Sequence, residues 1–219
     1  MVEVSEAVHL IDEGVLLDYP SDRGPYPDLE LGVGARLRSG TVLYAGSVIG
    51  ARFTTGHHVV VREENVLGDD VAIWTNTCID YGCRIGNRVK VHSNCYVAQY
   101  TVIDDDAFLA PGVTIANDLY PKVPGSRTFM TGPHIGAGAR IGVNVTLLPF
   151  VRIGANALIG SGAVVTRDIP EGAVAYGSPA RVRGQVDDLV DIIERVAPAD
   201  DSSERFRLQP TADENDVAR

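Results

Sequence analysis

Few side chains in this 219-residue sequence combine a reactive type with an informative setting. His92, in Val89-Lys90-Val91-His92-Ser93-Asn94, can bind a ligand or relay a proton near neutral pH. Asn117 and Asp118 form an adjacent amide–carboxylate pair, followed at once by Leu119-Tyr120-Pro121. Such a pair can orient a hydrogen-bond donor, and both residue types also favour a turn. His57, His58 and His134 are the next histidines along the chain, and His134 directly follows Pro133. The cysteines, Cys78, Cys83 and Cys95, form no C-x-x-C motif, so a zinc knuckle is not expected. No Walker-type loop or dinucleotide fingerprint is present. The net charge of −10 argues against nucleic acid as a partner, because that needs a basic face.

A repeat positions these residues. From Leu31 to Ile115 an aliphatic residue recurs at every sixth position, with Thr55 the one exception among fifteen. A second run in a shifted frame holds Ile135, Ile141, Leu147, Ile153, Ile159 and Val165. A period of six fits neither an α-helix nor the alternation of a half-buried strand, so the sequence predicts a repeat architecture. The residue after the aliphatic one is often Gly, as at Gly32, Gly50, Gly68 and Gly86. Glycine tolerates positive φ and leaves no Cβ in the way of a tight turn. The fourth residue after the aliphatic one is usually small or β-branched, as at Ala35, Val71, Val89 and Ala107. Each hexad thus offers one large and one small inward residue, as short parallel strands stacked into a solenoid require. Cys83 and Cys95 take the small inward position, and core packing is their expected role. Free thiols suit a reducing, cytoplasmic compartment.

The hexads over residues 31–183 resemble those of the hexapeptide-repeat acyltransferases. The resemblance implies an all-β fold, a left-handed parallel β-helix with three hexads to a coil. The handedness comes from the resemblance and not from the period. The expected organisation is an N-terminal cap over 1–30, which would cover an open strand edge, and the β-helix domain over 31–183. Residues 184–219 form the third part. Leu189, Ile192, Ile193 and Val196 share one helical face, so a short C-terminal helix is expected over 186–196, followed by a polar, disordered tail. Residues 118–133 break the frame and carry Pro121, Pro124 and Pro133, which cannot continue a strand ladder. They predict an external loop, and loops of this length on a compact scaffold are usually functional or disordered.

The stretch Ala110-Pro111-Gly112-Val113-Thr114-Ile115-Ala116-Asn117-Asp118-Leu119-Tyr120-Pro121 resembles the site segment of nucleotide-sugar amino N-acetyltransferases within that family. This implies Asn117 beside the acceptor amine with Asp118 adjacent, His92 assisting, and Asn94, Tyr120 and His134 as substrate contacts. At the place of His92 many relatives carry Gln or Asn that helps hold the sugar. The stretch Ile159-Gly160-Ser161-Gly162-Ala163-Val164-Val165-Thr166-Arg167-Asp168-Ile169-Pro170 and the turn Gly177-Ser178-Pro179-Ala180-Arg181 resemble the family's coenzyme A segment. They imply backbone groups near Val143 and Ser161 against the pantetheine arm, with Thr166, Arg167 and Arg181 near the nucleotide phosphates. Relatives often carry Lys where Arg167 stands, and either supplies the charge with different geometry. The resemblance also implies acetyl-CoA as co-substrate, no required metal, and a homotrimer with each site between two subunits.

The acceptor follows from one omission. O-acetylating relatives place a His in this loop to take the hydroxyl proton, and residues 117–133 contain none. A hydroxyl needs a general base, typically contributing ~10²–10⁴-fold in rate. A neutral amine is already nucleophilic and needs positioning, which can supply ~7–11 kcal/mol of the barrier. An amino-sugar amine is therefore the expected acceptor. A hydroxyl, an amino-acid amine, or a non-enzymatic scaffold role are the alternatives. The zinc-dependent γ-type carbonic anhydrases share the fold but need histidines five residues apart. The fifth residue after His92 is Val97, and no histidine pair has that spacing. No apolar stretch approaches the ~20 residues of a membrane span.

Overall fold

The computed structural model describes residues 10–189. Its short strands repeat with a register of eighteen residues, so that Leu67 pairs with Ile85 and Ile85 with Ile103. Three strands make one coil, and successive hexads fall on three parallel sheets in turn. The coil that starts at Glu30–Leu31 in a seven-stranded sheet passes to Arg36–Leu37 in a ten-stranded sheet. It continues to Val42–Tyr44 in an eight-stranded sheet and returns to the first at Val48–Ile49. This is the all-β parallel β-helix that the six-residue period predicts, with a coil consistent with the left-handed form.

The inward aliphatic residues stack coil on coil, and Leu37, Ile73, Val91, Leu109 and Ile141 are buried. Each such side chain stabilises the fold by roughly 1.5–3 kcal/mol relative to exposure. The small inward residues fill the space left between them: Ala35, Val89, Ala107 and both expected cysteines, Cys83 and Cys95, are buried. Thr55 keeps its inward place because its hydroxyl is satisfied. It accepts from the Arg38 amide at 3.0 Å and pairs with the Thr41 hydroxyl at 3.0 Å.

The corner glycines correct the sequence expectation in part. Gly32, Gly50, Gly68 and Gly86 do not have positive φ. The left-handed conformation falls two residues later, at Gly34 (φ 76°), Arg52 (59°), Asp70 (59°) and Arg88 (57°). The glycines are required instead by close approach between coils. A Cβ on Gly68 would lie 2.9 Å from both the Asn87 amide nitrogen and the Gly86 carbonyl carbon.

The frame shift is an insertion. Val102 pairs with His134, 32 residues on instead of 18, so fourteen residues are looped out and the coil resumes in register. The loop between Thr114–Ile115 and His134–Ile135 holds a single short 3₁₀ turn at Ser126–Phe129. Ahead of the first hexad, Leu10–Ile11 and Leu16–Tyr19 already lie parallel to Arg36–Leu37 and Val42–Tyr44. At the other end, Ala173–Tyr176 joins the ten-stranded sheet and turns back antiparallel into Arg181–Gln185. Residues 10–186 fall within one compact unit. Residues 187–189 are helical, and the rest of the expected helix and the tail lie outside the described residues. No described helix is long and apolar enough to cross a membrane.

One substitution separates periodicity from hydrogen bonding. Thr55→Val would restore the aliphatic beat yet leave the Arg38 N–H without its acceptor, a loss of ~1–2 kcal/mol. Urea unfolding should show the variant to be less stable than wild type; equal or higher stability would mean the hydroxyl has no such role.

Candidate active site

Asn117 lies two residues past Thr114–Ile115, at the corner where the eight-stranded sheet gives way to the seven-stranded one. Its Nδ2 donates to Gln99 Oε1 at 2.5 Å, one coil earlier. Gln99 Nε2 in turn donates to the Asp80 carboxylate. Asp80 Oδ2 also accepts from the Tyr96 hydroxyl at 2.8 Å, while Oδ1 accepts from the Tyr81 amide at 2.9 Å and lies 3.7 Å from Arg62. Burial, together with the bond to Asp80, pushes the Tyr96 hydroxyl well above its ordinary pKa and keeps it a donor. The Asn117 carbonyl accepts from the Thr131 amide at 3.1 Å, which ties the end of the loop to its start. Asn117 Oδ1 carries no hydrogen bond among the described residues.

Asp118 shapes the first turn of the loop, its Oδ1 accepting from the Tyr120 amide at 2.8 Å. With Leu119, Tyr120, Phe129 and Phe150 it lines a small apolar cavity of about 220 Å³. Tyr120 and Phe129 are 69% and 72% exposed, so the loop presents an uncovered aromatic surface.

His92 sits at a different corner, where the ten-stranded sheet passes to the eight-stranded one. Its ring meets Trp74 and Phe108 edge-on, with centroids 5.8 and 5.9 Å away. Its Nδ1 is buried without a hydrogen-bond partner among the described residues. Asn94 closes the same turn with φ 59° and accepts weakly from Asn76 at 3.4 Å. Val143 and Ser161 share this corner further along, the Val143 amide donating to the Ser161 hydroxyl at 3.2 Å. A groove of about 990 Å³ crosses the ten-stranded face to Ser161, between Lys90, Phe108, Arg140 and Leu158. The two corners are one hexad apart, up to ~20 Å at ~3.3 Å per extended residue. His92 and Asn117 therefore stand at separate corners of the coil.

Thr166 and Arg167 follow Val164–Val165 at the Asn117 corner, both exposed. Arg181 stands on the terminal hairpin, its Nη1 donating to the Ala180 carbonyl at 2.9 Å. His134 lies on the seven-stranded face, with Nε2 2.8 Å from Asp104 Oδ2. Burial pushes the Cys78 thiol up to about 11 and the Cys83 thiol up to about 12, and it raises Cys95 as well. None of the three thiols is set up as a thiolate nucleophile. Among the described residues no group of three or more metal-ligating side chains could hold an ion.

Sequence reasoning missed Gln99, Asp80, Lys90, Arg140 and Phe150. The signal for Gln99 was available, because it precedes Asn117 by one coil of eighteen residues. The groove cations are visible only once the ten-stranded face is assembled.

Residues 82–117 and 132–167 match the family model for bacterial transferase hexapeptide (six repeats), and the gap between the two matches is the loop. Galactoside O-acetyltransferase of Lactococcus lactis is 36% identical over 99 residues, covering 40% of this chain and 48% of that protein. Serine acetyltransferase 4 of Arabidopsis thaliana is 34% identical over 107 residues, covering 48% of this chain and 28% of that protein. The chain thus spans half or less of the length of these two relatives. A solved galactoside acetyltransferase in complex with coenzyme A aligns with a TM-score of 0.52 at 28% identity, covering 61% of this chain and 68% of that one.

Because burial holds the Cys78 and Cys83 thiols well above neutrality, the native protein should resist a thiol reagent at pH 8. Labelling should reach three cysteines per chain only after denaturation. Rapid labelling of Cys83 in the folded protein would contradict its placement in the core.

Proposed function

We propose that this chain transfers an acetyl group from acetyl-CoA to the amine of a nucleotide-linked amino sugar. One observation carries the reading. Asn117 holds its NH₂ group inward on Gln99 and leaves Oδ1 free at the mouth of a loop that contains no histidine. A carboxamide oxygen orients an N–H, and a neutral amine needs orientation more than it needs a base. The resemblance of the 110–121 segment to amino N-acetyltransferases supports the same acceptor.

In this reading the amine donates one N–H to Asn117 Oδ1 and its lone pair attacks the thioester carbonyl. A backbone amide stabilises the tetrahedral oxyanion. The C–N bond forms, the C–S bond breaks, and the departing thiolate takes the proton the amine releases. Asp118 sits next to Asn117 to assist binding. The acetyltransferase relatives, the solved galactoside acetyltransferase with coenzyme A, and the groove on the ten-stranded face support a coenzyme site near Val143 and Ser161. There Lys90 and Arg140 supply positive charge, and the volume is at the upper end of ordinary ligand sites, ~300–1,000 Å³. Thr166, Arg167 and Arg181 are proposed to meet the nucleotide phosphates. Because His92 and Asn117 stand on separate corners, a complete site is proposed between two copies in a homotrimer, with His92 contributed by the second.

A hydroxyl acceptor is the second reading. The His134–Asp104 pair favours it, since a carboxylate-bound imidazole can serve as a base, and two of the relatives are named for acetylating oxygen or serine.

Asn117→Ala should lower single-turnover kcat/KM for the nucleotide amino sugar by ~100-fold or more, about 2.7 kcal/mol at 1.36 kcal/mol per tenfold. Wild-type kcat/KM in that variant would refute the assignment. Millimolar CoA should raise the melting temperature of the wild-type protein; no shift would favour a scaffold without the coenzyme.

A further inference from the structure

The geometry points to Gln99 and Asp80 as positioning residues that decide which atom of Asn117 faces the acceptor. This rests on the acceptor role proposed for Asn117. An amide side chain can turn either its oxygen or its NH₂ outward, and the two ends are nearly equal in shape. Here the choice is imposed from one end of a chain of hydrogen bonds. Asp80 is the fixed end, a carboxylate 6% exposed that already receives Tyr96 and Tyr81 and faces Arg62. A carboxylate has only acceptor oxygens, so Gln99 must offer it Nε2. That commitment turns Gln99 Oε1 towards Asn117, and the group of Asn117 that matches an oxygen is Nδ2. The free end of Asn117 is then Oδ1.

Every bond in this chain donates towards Asp80. Reversing Gln99 would set its oxygen against the carboxylate, an arrangement of two acceptors without a proton between them. Reversing Asn117 would set its Oδ1 against Gln99 Oε1, again two acceptors, and would turn its NH₂ towards an amine that needs an acceptor. The three residues occupy successive coils at one corner, so the β-helix register itself assembles them. The consequence is selection: this site takes an acceptor that donates a hydrogen bond at the attacking atom, and it holds that donor in one orientation.

The test uses three variants of the full chain, assayed with acetyl-CoA and the nucleotide amino sugar. Gln99→Leu should lower kcat/KM for the acceptor about tenfold or more, chiefly through the acceptor KM, with the KM for acetyl-CoA unchanged. Asp80→Asn combined with Gln99→Leu should be no worse in catalysis than Gln99→Leu alone, because Asp80 acts through Gln99. Gln99→Glu supplies the directional readout. When protonated, the introduced carboxyl can donate to Asp80 and accept from Asn117 as the amide does; when ionised it cannot. Its rate relative to wild type at the same pH should therefore rise as pH falls, a pH dependence that a uniform loss of folded protein would not produce. Unchanged acceptor kcat/KM in Gln99→Leu, a further loss in the double variant beyond Gln99→Leu alone, or a pH-independent ratio for Gln99→Glu would each overturn the orienting role. If Asn117→Ala is inactive at the same time, the acceptor assignment survives that failure; if Asn117→Ala is fully active, both fail.

Discussion

The coils of this β-helix meet backbone to backbone, and almost everything else follows from that contact. At the Gly50–Gly68–Gly86 corner no Cβ fits between successive turns. The eighteen-residue register therefore cannot slip locally, because a shift of one residue would drive side chains into the backbone of the next coil and turn the inward aliphatic residues outward. Extra chain has to leave the stack whole. The fourteen-residue insertion does so at one corner, and the strands on either side pair as though it were absent.

Fixed register also makes neighbours of residues eighteen apart. At one corner this stacks Asp69, Asn87 and Asp105, each side chain accepting from the backbone amide of the preceding coil at 2.8–2.9 Å. At another it brings Gln99 against Asn117, eighteen residues on, and against Asp80, nineteen residues back. The first ladder closes turns. The second ends on an unpaired amide oxygen at the mouth of the loop, and there the regular scaffold gives way to a candidate site. A rigid prism suits such a site, since the orientation of one side chain is inherited from the coil beneath it.

The fold was legible because burial imposes a period that no other architecture shares. Thr55 looked like a lapse and is a satisfied hydroxyl in the core. The loop was legible through Pro121, Pro124 and Pro133, which cannot donate to a ladder. The corner glycines were half legible: small size is what they supply, while positive φ falls on Arg52, Asp70 and Arg88. The amide chain was legible only in part: Gln99 stands one three-hexad coil before Asn117, but Asp80 stands nineteen before Gln99, off that count. The same arithmetic places His92, twenty-five residues before Asn117, on a different corner, although both carry the right chemistry for a shared site.

The central claim is that the free oxygen of Asn117 sets an amine as the acceptor. It is tested most directly by a matched pair of nucleotide sugars that differ only in carrying an amino or a hydroxyl group at one ring carbon, each assayed with acetyl-CoA and the product resolved by mass spectrometry. The account predicts an amide product and a kcat/KM for the amine at least ~100-fold above that for the hydroxyl, the range a missing general base would cost. An ester formed from the hydroxyl sugar at a comparable rate would contradict it, and would move attention to His134 and Asp104.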